Sequence, residues 1–273
     1  MSNNNRVLLR GGGDLASDVA LRLHRAGINV LITELAKPLA VRRAVSFAEA
    51  VFEGTHSVEG VKAKLITASQ LTAWDDAENI PILIDPDADV LSAFNFPVVV
   101  DARLIKQSPS PLPTQIPLHI GMGPGFNAGS NCHAVIETRR SHTLGRVIWD
   151  GAPQPDSGEP EGDTRRVLRA SSDGILISRA KIGDQLHEGQ LIAEIRSETG
   201  DRKSKIASPF NGVLRGLIRD GMQVNRGLKI GDVDPRGDVS ACYLVSDKAL
   251  AIGGGVLEAI LSKADIRDRI YSN

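Results

Sequence analysis

The sequence predicts an α/β fold built on a parallel sheet, followed by a small all-β unit. Three observations predict it. Short apolar runs alternate with helical periodicity over the first hundred residues, a glycine-rich loop sits at the first such junction, and a 38-residue repeat occupies the region after residue 164.

Val7-Leu8-Leu9 reads as a strand that ends in Gly11-Gly12-Gly13. Apolar residues then recur at Leu15, Ala16, Val19, Ala20, Leu23 and Ala26, the spacing of a helix. His24-Arg25 in its last turn and Gly27 beyond it suit a helix C-terminus. Val30-Leu31-Ile32 forms the next strand, ending at Thr33-Glu34. Further runs at Pro81 to Ile84 and Val98 to Val100 each lead into an aspartate, Asp85 and Asp101. Strands this continuously apolar imply a parallel sheet covered on both faces.

From Asp150 to Asp163, proline, glycine and acid crowd together with little to bury, the composition of a linker or exposed loop. The repeat follows. Asp173-Gly174-Ile175-Leu176 matches Asn211-Gly212-Val213-Leu214, and Gly183, Gly189 and Ile192 match Gly221, Gly227 and Ile230, each pair 38 residues apart. Two copies of a strand–turn–strand unit predict a small barrel of two interlocked halves. The tail from Ser246 to Lys263 reads as a helix in which Gly253-Gly254-Gly255 predicts a break or a close backbone contact.

Composition narrows the function classes. The 273 residues are 41% hydrophobic and 24% charged, which is globular rather than disordered. Lys and Arg number 32 against 33 Asp and Glu, so no basic excess favours nucleic acid. Cys132 and Cys242 form no CxxC, which argues against a disulfide scaffold or a zinc site. Cys132 and His133 are strand neighbours pointing to opposite faces, poorly placed to chelate one metal, and no metal ligand set is expected. The polar start and the lack of an eighteen-residue apolar run predict a cytoplasmic protein without a leader or membrane span.

Gly11-Gly12-Gly13-Asp14-Leu15-Ala16 fits G-x-G-x-x-G/A after a strand and before a helix, with Glu34 ending the next strand. That context is a dinucleotide-binding fingerprint. Backbone amides would meet phosphate at the helix N-terminus and Glu34 would accept from a ribose diol. Arg10 directly before the loop and Asp14 at the helix start depart from a plain NAD site, and a turn of this type that binds nothing is the other reading. The loop Gly121-Met122-Gly123-Pro124-Gly125-Phe126 admits two readings, a ligand-holding loop in which Gly123, Pro124 and Gly125 close over the first site, or a rigid turn. Glu137, Arg139 and His142 follow an apolar strand and suit anion binding or proton transfer, or an ordinary ion pair at a strand end. Asp101-Ala102-Arg103 invites the same pair of readings. The division that results is a Rossmann-like nucleotide-binding domain over 1–150, a linker over 151–163, the barrel over 164–240 and a helical segment over 241–273.

Ile182 to Gly189, Ser208 to Gly212 and Val224 to Gly227 resemble biotinyl/lipoyl carrier domains, the barrel-sandwich hybrids. Those carriers present a modified lysine on a hairpin between the halves. Here the hairpin, Ser197 to Lys205, lacks the usual D-K-A setting, and Lys203 is the nearest candidate.

Stretches across nearly the whole chain resemble the YqeB-type accessory proteins of the selenium-dependent molybdenum hydroxylase system. They include Arg10 to Ser17, Leu23 to Gly27, Ser46 to Val51, Gly123 to Phe126, Ile136 to Arg139, Lys229 to Arg236 and Gly253 to Glu258. The match departs at Ser141, where the pattern has glycine before the histidine. The resemblance implies a role in maturing or servicing a molybdenum hydroxylase, through its pterin-dinucleotide cofactor or the labile selenium or sulfur on it. Partners would be the hydroxylase or its maturation proteins and a nucleotide-bearing ligand such as molybdopterin dinucleotide or NAD(P), with self-association left open. An NAD(P)-dependent oxidoreductase, with His142 as the nearest proton donor, and a carrier or docking module using the barrel are the alternatives.

Overall fold

The computed structural model describes residues 6–74, 76, 78–156, 163–197 and 203–271. Two compact units emerge, one of Met1–Pro38, Ser46–Ser157 and Val245–Asn273, the other of Leu39–Val45 and Gly158–Leu244.

The first unit holds strands β1 (Arg6–Arg10), β2 (Asn29–Glu34), β3 (Thr55–Val58), β4 (Val61–Ile66), β5 (Asn79–Ile84), β6 (Val98–Asp101), β7 (Leu118–Met122), β8 (Ala134–Ile136) and β9 (Val147–Ile148). Its helices are α1 (Asp14–Arg25), the single turns α2 (Ala50–Glu53) and α3 (Ala68–Leu71), α4 (Asp247–Leu261) and α5 (Ala264–Tyr271). The strands form one sheet in the order β3-β4-β5-β2-β1-β6-β7-β8-β9. Pairing is parallel from β4 to β8, and antiparallel only for β3 with β4 and β8 with β9. The parallel strands therefore present their carboxyl ends along one edge. One face buries Leu8, Leu31, Leu83 and Val99 against Phe96, Leu91 and Leu71.

Two expectations needed revision here. The links from β5 to β6 and from β6 to β7 are loops and short 3₁₀ turns rather than the helices that strand–helix alternation implies. Prolines at 109, 111 and 113 remove backbone donors from the second link. The tail, expected as a segment of its own over 241–273, joins the first unit from Val245 onward.

The glycine triplet explains that docking. Helix α4 runs unbroken, so the triplet marks close contact rather than a break. A side chain at Gly253 would strike Asp18 and Arg22 of α1, and one at Gly255 would strike the Gly145 carbonyl, whereas nothing lies near Gly254. Asp18 is fully buried there, its carboxylate without a hydrogen-bond partner among the described residues and 3.6 Å from Arg22 Nε. Burial pushes its carboxyl up to about 6, against the pull of Arg22.

The second unit realises the repeat. Its strands are β10 (Val167–Arg169), β11 (Gly174–Ser178), β12 (Gln185–Leu186), β13 (Leu191–Arg196), β14 (Lys203–Ala207), β15 (Gly212–Leu217), β16 (Gln223–Val224) and β17 (Lys229–Asp234). They make two four-stranded antiparallel sheets, β10-β17-β15-β12 and β14-β13-β11-β16. A shift of 38 residues carries either sheet onto the other. The halves also exchange equivalent hydrogen bonds. Gly183 N–H donates to Leu214 C=O as Gly221 N–H does to Leu176 C=O, and Glu188 N–H meets Asn211 Oδ1 as Arg226 N–H meets Asp173 Oδ1. The segment Leu39–Val45 belongs to this unit because Val41 packs on Gly216 and Arg43 Nε donates to the Leu217 carbonyl at 2.7 Å. Residues 198–202 and the Lys203 side chain, the site considered for a modified lysine, lie outside the described residues, as do residues 157–162 of the expected linker.

Substitutions in the α1–α4 seam should separate by position. Gly254→Ala should stabilise by about 0.5–1 kcal/mol from helix propensity, and Gly255→Ala should destabilise by roughly 1–3 kcal/mol through overpacking, both read by urea unfolding.

Asp18 gives a pH signature. Its folded pKa exceeds the unfolded value, so its contribution is most favourable below pH 4 and is lost as pH rises to about 6. Asp18→Asn should raise the unfolding free energy above pH 6 by about 1–3 kcal/mol and flatten the profile between pH 4 and 6.

Candidate functional site

The carboxyl edge of the sheet is where its chemistry gathers. Strand β1 pairs with β2 on one side and β6 on the other, so the strand order reverses at the β1/β6 junction, the place where open α/β sheets bind ligands. The last residues of these strands, Arg10 and Asp101, are register partners. A cleft of about 530 Å³ opens beside them, lined by Arg10, Asp87, Arg103, Lys106, Gln107 and the run from Ser108 to Pro113.

Arg10 is the notable wall. Only 6% of it is exposed. Its Nη2 donates to the Pro86 carbonyl at 3.2 Å, Nη1 stands 3.5 Å from Asp101, and Nε has no partner among the described residues. A guanidinium has five donor hydrogens, and here the buried Nε–H finds no acceptor among the described residues. Burial lowers its pKa and Asp101 opposes that shift. Arg103 takes the fuller share of Asp101, donating from Nε at 2.8 Å and Nη2 at 2.6 Å. Those bonds raise the Arg103 pKa. Lys106 meets Asp156 at 2.5 Å on the open side. On β7, His119 is buried with Nε2 unpartnered among the described residues, and burial pushes its pKa down to about 4. It is therefore neutral at neutral pH.

The glycine loop is closed more from within than its sequence implies. Gly11 adopts φ +96° and its N–H donates to the Thr33 carbonyl. Gly12 N–H donates to Glu34 Oε2 at 2.7 Å, and Leu35 N–H donates to Oε1 at the same distance. Glu34 thus ties the loop to its own strand end rather than offering both oxygens to a ribose. Burial raises its pKa, and these two bonds oppose the rise. Ala48 N–H donates to the Gly12 carbonyl and its backbone fills the space where a Gly12 side chain would stand. Gly13 is the open member, Asp14 begins α1, and Leu15 and Ala16 are buried in the core.

The second glycine loop packs behind the cleft wall. Gly123, at φ +106°, lies against Leu104, and a side chain at Gly125 would strike the Gln107 and Ile105 carbonyls. Gly125 N–H also donates to Ile105 C=O. Phe126 lies directly over Gly121. Gly123-Pro124-Gly125 therefore seats the loop that carries Lys106 and Gln107.

Glu137, Arg139 and His142 do not assemble around a shared centre. Buried Glu137 accepts from the backbone N–H of Arg139 at 2.7 Å and of Gln154 at 2.8 Å, while Arg139 and His142 are exposed. The Cys132 thiol is pushed up to about 11 by burial, which leaves it inert as a nucleophile. Among the described residues, no three His, Cys, Asp or Glu side chains come together as metal ligands, and no helix is long and apolar enough to cross a membrane.

Sequence reading caught Asp101 and Arg103 as strand-end polar residues and noted Arg10 beside the loop. It missed Asp87, Lys106 and His119. Asp87 and Lys106 lie in irregular links where no periodicity marks a facing direction.

Compared as a whole sequence, the chain is 46% identical over 265 residues to the Escherichia coli (strain K12) protein called "Uncharacterized protein YqeB", covering 95% of this chain and 48% of that protein. The chain is a YqeB homologue. It spans about half the length of that relative. No protein-family model matches it. Among solved structures it is similar to the product-bound ectoine utilization protein EutE (DoeB) of Ruegeria pomeroyi, with 12% identity, 85% and 86% coverage of the two chains and a TM-score of 0.32. An aspartoacylase family protein of Mesorhizobium loti gives 9% identity, 85% coverage of each chain and a TM-score of 0.26. Scores this low bear on neither fold nor activity.

Glu34→Ala should cost about 1–3 kcal/mol in stability because two backbone amides lose their acceptor. A calorimetric midpoint equal to that of the unaltered protein would contradict the loop-closing role.

Proposed function

We propose that the chain is a cytoplasmic accessory protein of a molybdenum hydroxylase and holds a nucleotide-bearing ligand in the cleft at the β1/β6 junction. On this reading the nine-stranded unit is a Rossmann-like ligand domain and the repeat unit a barrel-sandwich hybrid that serves as a docking module. The hydroxylase and its maturation proteins are the partners that the family resemblance suggests, and molybdopterin dinucleotide or NAD(P) are the ligand types.

One observation carries the ligand reading. Arg10 is a nine-tenths buried guanidinium, with Nε unpartnered among the described residues, in the wall of a cleft at the strand-order reversal. A buried cation so little satisfied is costly unless an acceptor reaches it. Arg103 and Lys106 line the same cleft, and a phosphate oxygen supplies charge-assisted acceptors to such a set. The expected anion site thus moves from the Gly11–Gly13 amides to the side chains beside them. Gly13 and the start of α1 remain adjacent along the chain.

Calorimetry with inorganic pyrophosphate and ADP in low salt tests the reading. Both should bind, and Arg103→Ala should weaken each by roughly tenfold, as loss of one charge-assisted contact implies. Absence of heat with folded protein, or equal affinity in the variant, would overturn it.

A further inference from the structure

We infer that Asp87, rather than Glu34, is the carboxylate that reads the ribose diol of the ligand in the β1/β6 cleft. The inference rests on the nucleotide reading of that cleft and adds a specificity residue to it.

A carboxylate at the end of a neighbouring strand is the group expected to accept from vicinal hydroxyls in this kind of fold. Glu34 sits where the spacing predicts that group, but both its oxygens already receive backbone N–H donors at 2.7 Å. The same occupation makes the next candidate less available. Asp85, directly after β5, accepts the N–H groups of Asp89 at 2.9 Å and Val90 at 3.0 Å. Asp101 is held by Arg10 and Arg103.

Asp87 differs from all three. It is exposed, lines the cleft, and accepts no hydrogen bond among the described residues. Asp87, Arg10 and Arg103 all line this one cleft, and the Asp87 charge favours the protonated form of both guanidinium groups. The neighbouring Pro86 carbonyl, bonded to Arg10 Nη2, fixes its backbone against that wall. The cleft therefore pairs a buried donor without an acceptor, Arg10 Nε, with an open, solvent-facing carboxylate, Asp87. A ligand matching it carries an anionic group and, a few bonds away, a group that donates hydrogen bonds. A ribonucleotide has that arrangement, with phosphate oxygens toward Arg10 and Arg103 and the 2′- and 3′-hydroxyls toward Asp87. A carboxylate accepts both hydroxyls at once, one on each oxygen.

The test compares pyrophosphate, ADP and 2′,3′-dideoxy-ADP by calorimetry on the full chain and on Asp87→Ala. The unaltered protein should prefer ADP over the dideoxy compound by roughly tenfold or more, since a site built to bond a hydroxyl rejects the analogue lacking it. Asp87→Ala should lose that preference while binding pyrophosphate at least as tightly, because a like charge has left the cleft. Asp87→Asn, which keeps one acceptor oxygen, should retain part of it. A preference that survives in Asp87→Ala overturns the inference, as does pyrophosphate binding by the unaltered protein with no discrimination between the two nucleotides. If neither pyrophosphate nor ADP binds, the nucleotide reading falls and this inference with it.

Discussion

A buried cation at the junction of two half-sheets organises the carboxyl edge of the first unit. Arg10 ends β1, and its guanidinium lies between the Pro86 carbonyl and the Asp101 carboxylate, the latter shared with Arg103. Two arginines share one aspartate, and Arg10 Nε is left without an acceptor among the described residues. Placing a guanidinium there without full hydrogen bonding is unfavourable for folding alone, and it stands at the strand-order reversal of the sheet.

Other strand-end carboxylates do a different kind of work. Glu34, Asp85 and Glu137 each accept two backbone amides and fasten the loop that follows their strand. An acid at a strand end is thus not in itself a ligand group, and its hydrogen-bond partners decide its role. Glycines play the matching part on the packing side. Gly125 lets the loop after β7 approach the cleft wall, and Gly255 lets α4 approach the Gly145 loop. The wall carrying Lys106 and Gln107 is consequently held by backbone contact, which suits a site that must keep its shape.

Much of the fold was legible because periodicity reports burial. β1, α1, β2, β5 and β6 fall on their apolar runs, and the 38-residue repeat foretold a small β unit of two equivalent halves. The hairpin of β3 and β4 lacks so clear a pattern, since β4 alternates only partly between buried and exposed positions. The excursion of Leu39–Val45 into the second unit was hidden because it depends on Val41 meeting Gly216, a contact between distant positions. The site was legible by location more than by residue. Gly11 to Gly13 and Glu34 lie at the carboxyl edge of the sheet, but sequence spacing could not show that Glu34 turns inward or that Ala48 covers Gly12. Arg10 read as a departure from a plain NAD site, and sequence spacing could not show that its guanidinium is buried with Nε unpartnered among the described residues.

The most direct measurement of the central claim is the side-chain nitrogen spectrum of the arginines during titration with pyrophosphate. The Nε–H signal of Arg10 should move and broaden less as the acceptor arrives, with Arg103 following in the same saturating step. Saturable shifts confined to the Gly11–Gly13 amides, with both arginine signals unmoved, would contradict the account.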